Sequence, residues 1–232
     1  MMIVAILGAM REEIEPILER FQYTSVEYAN NTFYLIDYAQ GKMVVAYSKI
    51  GKVNSAITAS VMIEHFKADY LIFTGVAGSL NADLKIGDLL LATSLVQHDV
   101  DICAFGHKAG FIPETSHYIK TNEDLNKIAL KSAKDLKLSV KEGIIATSDQ
   151  FICSSDKKEW IKNTFNADAC EMEGASVALV CEAFKIPCVI LRAISDEAGK
   201  EAEISFDTFL KIAATNSANL ALKICENLKK KL

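Results

Sequence analysis

The chain has 232 residues, 50% of them hydrophobic, and a net charge of −5 at pH 7. With no Pro/Gly/Ser-rich linker and no charge block, that much apolar chain reads as one domain over residues 1–232, and with no basic stripe to displace counterions from phosphates a nucleic-acid partner is excluded. The six cysteines (103, 153, 170, 181, 188 and 225) are dispersed without a Cys-x-x-Cys pair or zinc-like spacing, the pattern of reduced, mostly buried thiols in a cytoplasmic protein.

Met2-Ile3-Val4-Ala5-Ile6-Leu7 is a buried-strand run closing on Gly8. It is too short to span a membrane and lacks the basic flank and cleavage site of a signal peptide. Ile14, Ile17, Leu18 and Phe21 then recur at helical spacing, with Pro16 expected in the first turn, where its missing N–H costs little. Thr32–Tyr38 and Lys42–Tyr47 are β-rich and joined through Ala39-Gln40-Gly41. This hairpin signal puts an antiparallel pair in the sheet and disfavours a regular (βα)8 barrel. Gly51 precedes a helix over 52–66. The strand Tyr70–Phe73 runs into a small-residue turn, Thr74–Ser79, and Gly87–Val96 is a further strand. A loop occupies 97–118. Thr121-x-x-Asp124 opens a helix with a capping-box-like signal, Gly143–Thr147 is a strand, Asp156-x-x-Glu159 caps a short helix, and 174–184 forms another. Pro187–Ile194 is a strand, and 205–229 a long amphipathic helix with Lys229-Lys230-Lys231 as a solvated end. The alternation predicts an α/β three-layer sandwich, a mixed twisted central sheet flanked by helices.

Acids in or just after apolar stretches are costly, because an ionised carboxylate out of water needs a partner or a raised pKa. Three fall in one window: Glu171 and Glu173 in Cys170-Glu171-Met172-Glu173-Gly174-Ala175, and Asp196 behind the apolar run Val189–Ile194. Asp196 follows the carboxyl end of a strand, where α/β sheets bind ligands; a helix cap or turn is the alternative. Arg192 is about 13 Å from Asp196 at ~3.3 Å per strand residue, so it anchors another carboxylate and leaves Asp196 free to hold a proton. Glu171 and Glu173 share a face on a strand and diverge on a helix. At a strand-to-helix transition both reach one cavity, where a vicinal ribose diol suits a carboxylate; a solvated acidic helix start is the alternative. Glu12 and Glu13 open the first helix, a common structural pattern. Thr74–Ser79 lacks the lysine of a P-loop, and its small residues would let a flat ligand approach the backbone. His98-Asp99-Val100-Asp101 has one histidine among hard acids, which favours an interface or loop-ordering role over a metal site. Cys153 and Cys170 lack a basic partner and read as core thiols.

In order along the chain stand Gly8-Ala9-Met10-x-Glu12-Glu13, Ser48-x-Ile50-Gly51-Lys52-Val53, Thr74-Gly75-x-Ala77-Gly78, His98-Asp99-x-Asp101-x-x-Ala104-Phe105-Gly106, Asp149-x-Phe151-Ile152, Glu171-Met172-Glu173-x-Ala175 and Arg192-Ala193-Ile194-Ser195-Asp196. This ordered set covers nearly the whole chain and resembles the 5′-methylthioadenosine/S-adenosylhomocysteine nucleosidases of the nucleoside phosphorylase superfamily. The resemblance implies that Asp196 protonates adenine N7 as general acid, held by Ser195, and that Glu13 activates the attacking water. It implies that Glu173 binds the ribose hydroxyls above Met172, supported by Glu171 and Arg192. Phe151 would stack on adenine and the Ile152 backbone would read its edge. Ala9, Met10, Ile50, Val76, Ala77 and Gly78 would complete the pocket, with Phe206 closing it. In the family the 5′ substituent meets a neighbouring subunit, which implies a homodimer with Ile102, Phe105 and Pro113 lining the partner's site. Two positions depart from the pattern. Val76 stands where the family often has serine, removing a hydroxyl near base or sugar, and Arg11 replaces an acid, on the solvent side of its helix.

The implied reaction is hydrolysis of the N-glycosidic bond of 5′-modified adenosines, with no metal or organic cofactor. Protonated N7 eases departure of adenine while a carboxylate-activated water attacks the opposite face, predicting inversion at C1′. An unperturbed aspartate is protonated about one part in 1000 at pH 7, a deficit of ~4 kcal/mol, so burial must raise the Asp196 pKa or N7 must share the proton. A phosphorylase of the same fold is disfavoured by acids at Gly8–Glu13, where an anion needs bases; a non-catalytic nucleoside sensor is disfavoured by retention of every candidate acid. The 5′ group stays open. Methylthio, homocysteinyl, 5′-deoxy and the 6-amino-6-deoxyfutalosine of an alternative menaquinone route share the same adenosine half.

Overall fold

In the computed structural model, which describes residues 1–199 and 202–228, the apolar runs become strands covered on both faces. The chain runs β1 (Met2–Gly8), α1 (Arg11–Leu18), β2 (Thr24–Tyr28), β3 (Asn31–Tyr38), β4 (Gly41–Tyr47), α2 (Lys52–Glu64), β5 (Tyr70–Phe73), β6 (Val76–Ser79), β7 (Leu89–Gln97), β8 (Ile119–Lys120), α3 (Glu123–Asp135), β9 (Val140–Thr147), α4 (Ser155–Phe165), β10 (Ala169–Glu171), α5 (Gly174–Phe184), β11 (Cys188–Asp196) and α6 (Ala202–Asn227). Strand alternation divides β1 between two cores. Val4 and Ile6 pack with apolar residues of α1, α3 and α6 on one face, and Ala5 and Leu7 with those of α2 and α5 on the other. A strand buried on both sides needs no polar alternation, which is why β1 reads as a continuous apolar run.

The sheet is mixed, in the order β2-β3-β4-β1-β5-β11-β6-β10-β9-β7-β8, with β11 also pairing β7. That extra pairing closes β11, β6, β10, β9 and β7 into a ring, so about half of the mixed sheet is barrel-like. The seam is β11. Its first residues pair with β5, Leu191–Ala193 with β7, and Ala193–Asp196 with β6. Opposite β6 the register slips between Ile194 and Asp196, making Ser195 the extra residue of a β-bulge. A bulge re-aims a side chain, which regular alternation would send to the opposite face.

Several local expectations are corrected. Thr74–Ser79 is not a turn throughout, because Val76–Ser79 forms β6 between β11 and β10. Pro16 sits beyond the first turn, since α1 already begins at Arg11; the helix ends at Leu18, and Phe21 packs past its end. The α3 cap is Asn122, whose side chain accepts the Leu125 N–H, rather than Thr121, which bonds the Ala92 carbonyl. The α4 cap is Ser154 rather than Asp156. Cys153 is exposed, not a core thiol, as is Cys103, while the other cysteines are buried. The exposed edge strand β2 was not anticipated. The Lys229–Lys231 tail lies outside the described residues. Among those described, no helix is long and apolar enough to cross a membrane.

Candidate active site

The carboxyl end of β11, the start of α1, β6 and the β10–α5 junction enclose a cavity of about 310 Å³. It gathers Ala9, Met10, Glu13, Ile50, Val76, Ala77, Gly78, Phe151, Ile152, Glu171, Met172, Glu173, Ser195, Asp196 and Phe206 from segments far apart in sequence. Gln150 and Cys170 also line it and were not anticipated. Gln150 occupies the unspecified position of Asp149-x-Phe151-Ile152, and Cys170 stands beside an acid already singled out, so adjacency was the available signal. Burial pushes the Cys170 thiol up, and the Asp196 and Glu171 charges push it further, which disfavours the thiolate. Ile102, Phe105 and Pro113 lie outside the cavity, and Phe105 is 81% exposed.

Glu13 is 3% exposed. Its Oε2 accepts the N–H groups of Ala9 (2.6 Å) and Met10 (2.9 Å), and its Oε1 that of Val76 (3.0 Å). A carboxylate has about four lone-pair sites, so one remains on Oε1. Burial raises the Glu13 pKa against the opposing pull of Arg192 and these N–H donors. Glycine is required nearby: a Cβ at Gly75 would stand 2.5 Å from Glu13 Oε1, and one at Gly78 2.7 Å from Asp196 Oδ1.

Asp196 is also 3% exposed. The bulge brings the Ser195 hydroxyl 2.9 Å from Asp196 Oδ2, to which it donates, while the Ala198 N–H donates to Oδ1 at 2.8 Å. Burial raises the Asp196 pKa, opposed by the Ala198 N–H, the Ser195 hydroxyl and the Lys158 charge. The proton is therefore held above the ordinary aspartate range.

Glu171 and Glu173 part company at the β10–α5 junction. Glu171 Oε2 accepts Arg192 Nη2 (2.5 Å) and the Gly174 and Glu173 N–H groups, and Oε1 accepts the Thr147 hydroxyl. These contacts hold the start of α5 and pair the acid with Arg192. Arg192 is buried with its guanidinium 4.0 Å over the Phe73 ring, answering the expectation that it anchors one of the other acids. Glu173 caps α5 and accepts the Gly51 N–H on Oε1 at 2.9 Å. Oε2 is left for a ligand. Burial, then the Glu171 charge, raise the Glu173 pKa to about 8. Removing one partner of a buried ion pair strands the other charge, so Arg192→Met is expected to cost about 3–5 kcal/mol of stability in urea unfolding; a change below 1 kcal/mol would contradict this role.

At the mouth, Phe151 and Phe206 meet edge to face with centroids 5.7 Å apart. The His98–Asp101 segment does order a loop. Asp99 Oδ1 lies 2.7 Å from Lys52 Nζ at the start of α2, and Asp99 Oδ2 accepts the Asp149 N–H. Among the described residues no cluster has the make-up of a metal site.

Residues 3–226 match the sequence profile of the phosphorylase superfamily. The chain belongs to that superfamily. Among its similar members, the aminodeoxyfutalosine nucleosidase of Campylobacter jejuni is 59% identical over 98% of this chain and 100% of its own length. The 5′-methylthioadenosine/S-adenosylhomocysteine nucleosidase of a Geobacillus species is 39% identical over 98% of this chain and 99% of its own. The Helicobacter pylori nucleosidase of the latter name, crystallised with butyl-thio-DADMe-Immucillin-A, superposes with a TM-score of 0.97 at 49% identity over 98% of this chain and 99% of that one. The phosphorylase-superfamily fold thus extends over the whole cavity, from Ala9 to Phe206.

Proposed function

We propose that this chain hydrolyses the N-glycosidic bond of 5′-modified adenosines and releases adenine. The observation that carries the reading is the placement of two pKa-raised carboxyls on one cavity. Glu13 bonds the N–H of Val76, and Asp196 pairs with Gly78 two strand residues further on. At ~3.3 Å per residue, the backbone positions that hold the two carboxyls are about 7 Å apart. An acid and a base on either side of a sugar with room for a water need about 6.5–9.5 Å in inverting glycosidases.

In this reading protonated Asp196 gives its proton to N7 as the C1′–N9 bond breaks. The Glu173 carboxyl hydrogen-bonds the ribose hydroxyls through its open Oε2. Glu13 takes a proton from water through its remaining lone pair as the C1′–O bond forms, yielding adenine and a free sugar inverted at C1′. Phosphorolysis is disfavoured because no Lys, Arg or His is among the described cavity-lining residues, and the Arg192 guanidinium is committed to Glu171. The 59% identity to an aminodeoxyfutalosine nucleosidase, beside 49% and 39% to two methylthioadenosine/S-adenosylhomocysteine nucleosidases, supports placing 6-amino-6-deoxyfutalosine beside 5′-methylthioadenosine, S-adenosylhomocysteine and 5′-deoxyadenosine as substrates. Chromatography of these four reactions in rigorously phosphate-free buffer tests both points. The expected products are adenine and free sugars; release that requires phosphate and yields a sugar 1-phosphate would make the enzyme a phosphorylase.

The proposal includes a homodimer. Val53 and Ile57 are exposed on neighbouring turns of α2, with Ile50 exposed just before it. The Lys52–Asp99 pair ties this end of α2 to the segment carrying Phe105. Apolar side chains grouped beside a cavity mouth suit a subunit contact. Sedimentation is expected at twice the 25.5 kDa chain mass, with Phe105→Asp weakening both association and turnover of substrates with large 5′ groups; a fully active monomer would remove the dimer from the account.

A further inference from the structure

The turn after β11 binds the acid Asp196 through a residue in an unfavourable backbone conformation. Ala198 has φ +48°, a left-handed geometry unfavourable for an L-residue, and it is this residue's N–H that binds Asp196 Oδ1. Strain of this kind persists only where surrounding contacts impose it. One such contact comes from α4: the Lys158 ammonium donates to the carbonyl of Glu197, between Asp196 and Ala198. We propose that Lys158 is a positioning residue for Asp196, holding the Glu197 carbonyl and so fixing the turn that presents the acid to the leaving base. The inference rests on the nucleosidase reading above.

Three further observations support it. Lys158 is half-buried, with no carboxylate within ion-pair distance among the described residues, so its donor is directed to the carbonyl and its charge is not cancelled by a contact. Its face of α4, with Ser155, Glu159 and Lys162, lines a polar cavity shared with Glu197 and β6 residue Ser79, so the helix packs against the back of the acid site. Finally, α4 follows directly on Phe151 and Ile152, which line the base side of the active-site cavity. The same lysine therefore joins the wall beside the base to the turn bearing the acid.

The groups that face Asp196 are the Ser195 hydroxyl and Ala198 N–H from its own segment, the Cys170 thiol from β10, and the Lys158 charge from α4. Of these Lys158 is the cation, and it stabilises the ionised aspartate. Removing it raises the Asp196 pKa further, so the pH at which activity falls on the alkaline side moves upward. A lysine that served folding alone would leave that limb in place.

The test is kcat, KM and the pH profile of adenine release from 5′-methylthioadenosine. Lys158→Met is expected to lower kcat about 10-fold or more, as misplacement of a reacting group does, with a smaller change in KM and an alkaline limb shifted upward. Lys158→Arg should restore both rate and limb. Lys157→Met, which removes a neighbouring charge that rests 4.1 Å over Trp160, should change neither. Lys158→Gln keeps a donor without the charge, and should shift the limb while sparing more of kcat; it also serves if the methionine variant does not fold. A Lys158→Met or Lys158→Gln enzyme with wild-type rate and limb, or an equal shift in Lys157→Met, overturns the inference. If instead the wild type releases no adenine, or Asp196→Asn remains fully active, the nucleosidase reading itself has failed.

Discussion

Asp196→Asn is expected to lower adenine release at least 10³-fold, within the range of about 10²–10⁴ that general acid catalysis contributes, while nucleoside binding stays measurable. Asparagine has nearly the same shape and preserves both contacts of the acid. Its Oδ1 can accept the Ala198 N–H and its Nδ2 can donate to the Ser195 hydroxyl, the groups that now bond the two carboxylate oxygens. What it lacks is a transferable proton. Turnover should therefore collapse without loss of fold, measured as kcat beside the binding of an adenosine analogue by calorimetry. Turnover within 10-fold of wild type would remove Asp196 as the acid.

The pH dependence of the parent enzyme carries a matching sign. The Asp196 pKa is raised chiefly by burial, so the active protonated form persists above the ordinary aspartate range and activity falls as pH rises through the raised value. Glu13 must be ionised, and its pKa is raised by burial too, so activity falls again as pH drops through that value. The expected profile of kcat is a bell. Stability has one sign for both groups: a carboxyl whose folded pKa is raised favours the fold while protonated, and that contribution is lost as pH rises through the folded pKa.

Much of the site was legible because burial of charge needs a reason. That Arg192 anchors an acid other than Asp196 followed from an arginine inside an apolar strand that was too far from Asp196, and the β10–α5 junction from two acids preceding Gly174-Ala175; that the acid is Glu171 comes from the fold. Residues whose role depends on a distant backbone were not legible in this way. Glu13 looks like any acid opening a helix; only the fold brings the Val76 N–H to it across 63 positions of sequence. Val76–Ser79 reads as a turn because its small residues give little strand signal, yet pairing with β11 and β10 imposes extension. Closure of the ring by β11 and β7 is likewise a long-range pairing with no local signature. The Ser195 bulge arises from a register slip against β6 and Ala198 is left-handed in the turn beyond it, so alternation along the strand could not announce them.

Of the two isosteric changes Glu13→Gln should be the one that also costs stability, because here the amide cannot reproduce the bonds it replaces. The carboxylate accepts on both oxygens, two N–H groups on Oε2 and one on Oε1. An amide nitrogen on either side must face a backbone donor, leaving at least one buried N–H unpaired at about 1–3 kcal/mol, in addition to losing the base. The expected result is a fall in kcat of at least 10²-fold together with a lowered melting temperature, whereas Asp196→Asn loses activity alone. Gly75→Ala separates the two effects. Its Cβ would stand 2.5 Å from Glu13 Oε1 and 3.0 Å from Arg192 Nη1, so the carboxylate must move while keeping its charge. A displacement of about 1 Å at a reacting group can cost 10²-fold, and this variant should lose kcat far more than it gains in KM. If Gly75→Ala retained full kcat, the position of the Glu13 carboxylate would not matter to the reaction, and a base acting through that one open lone pair would have to be abandoned.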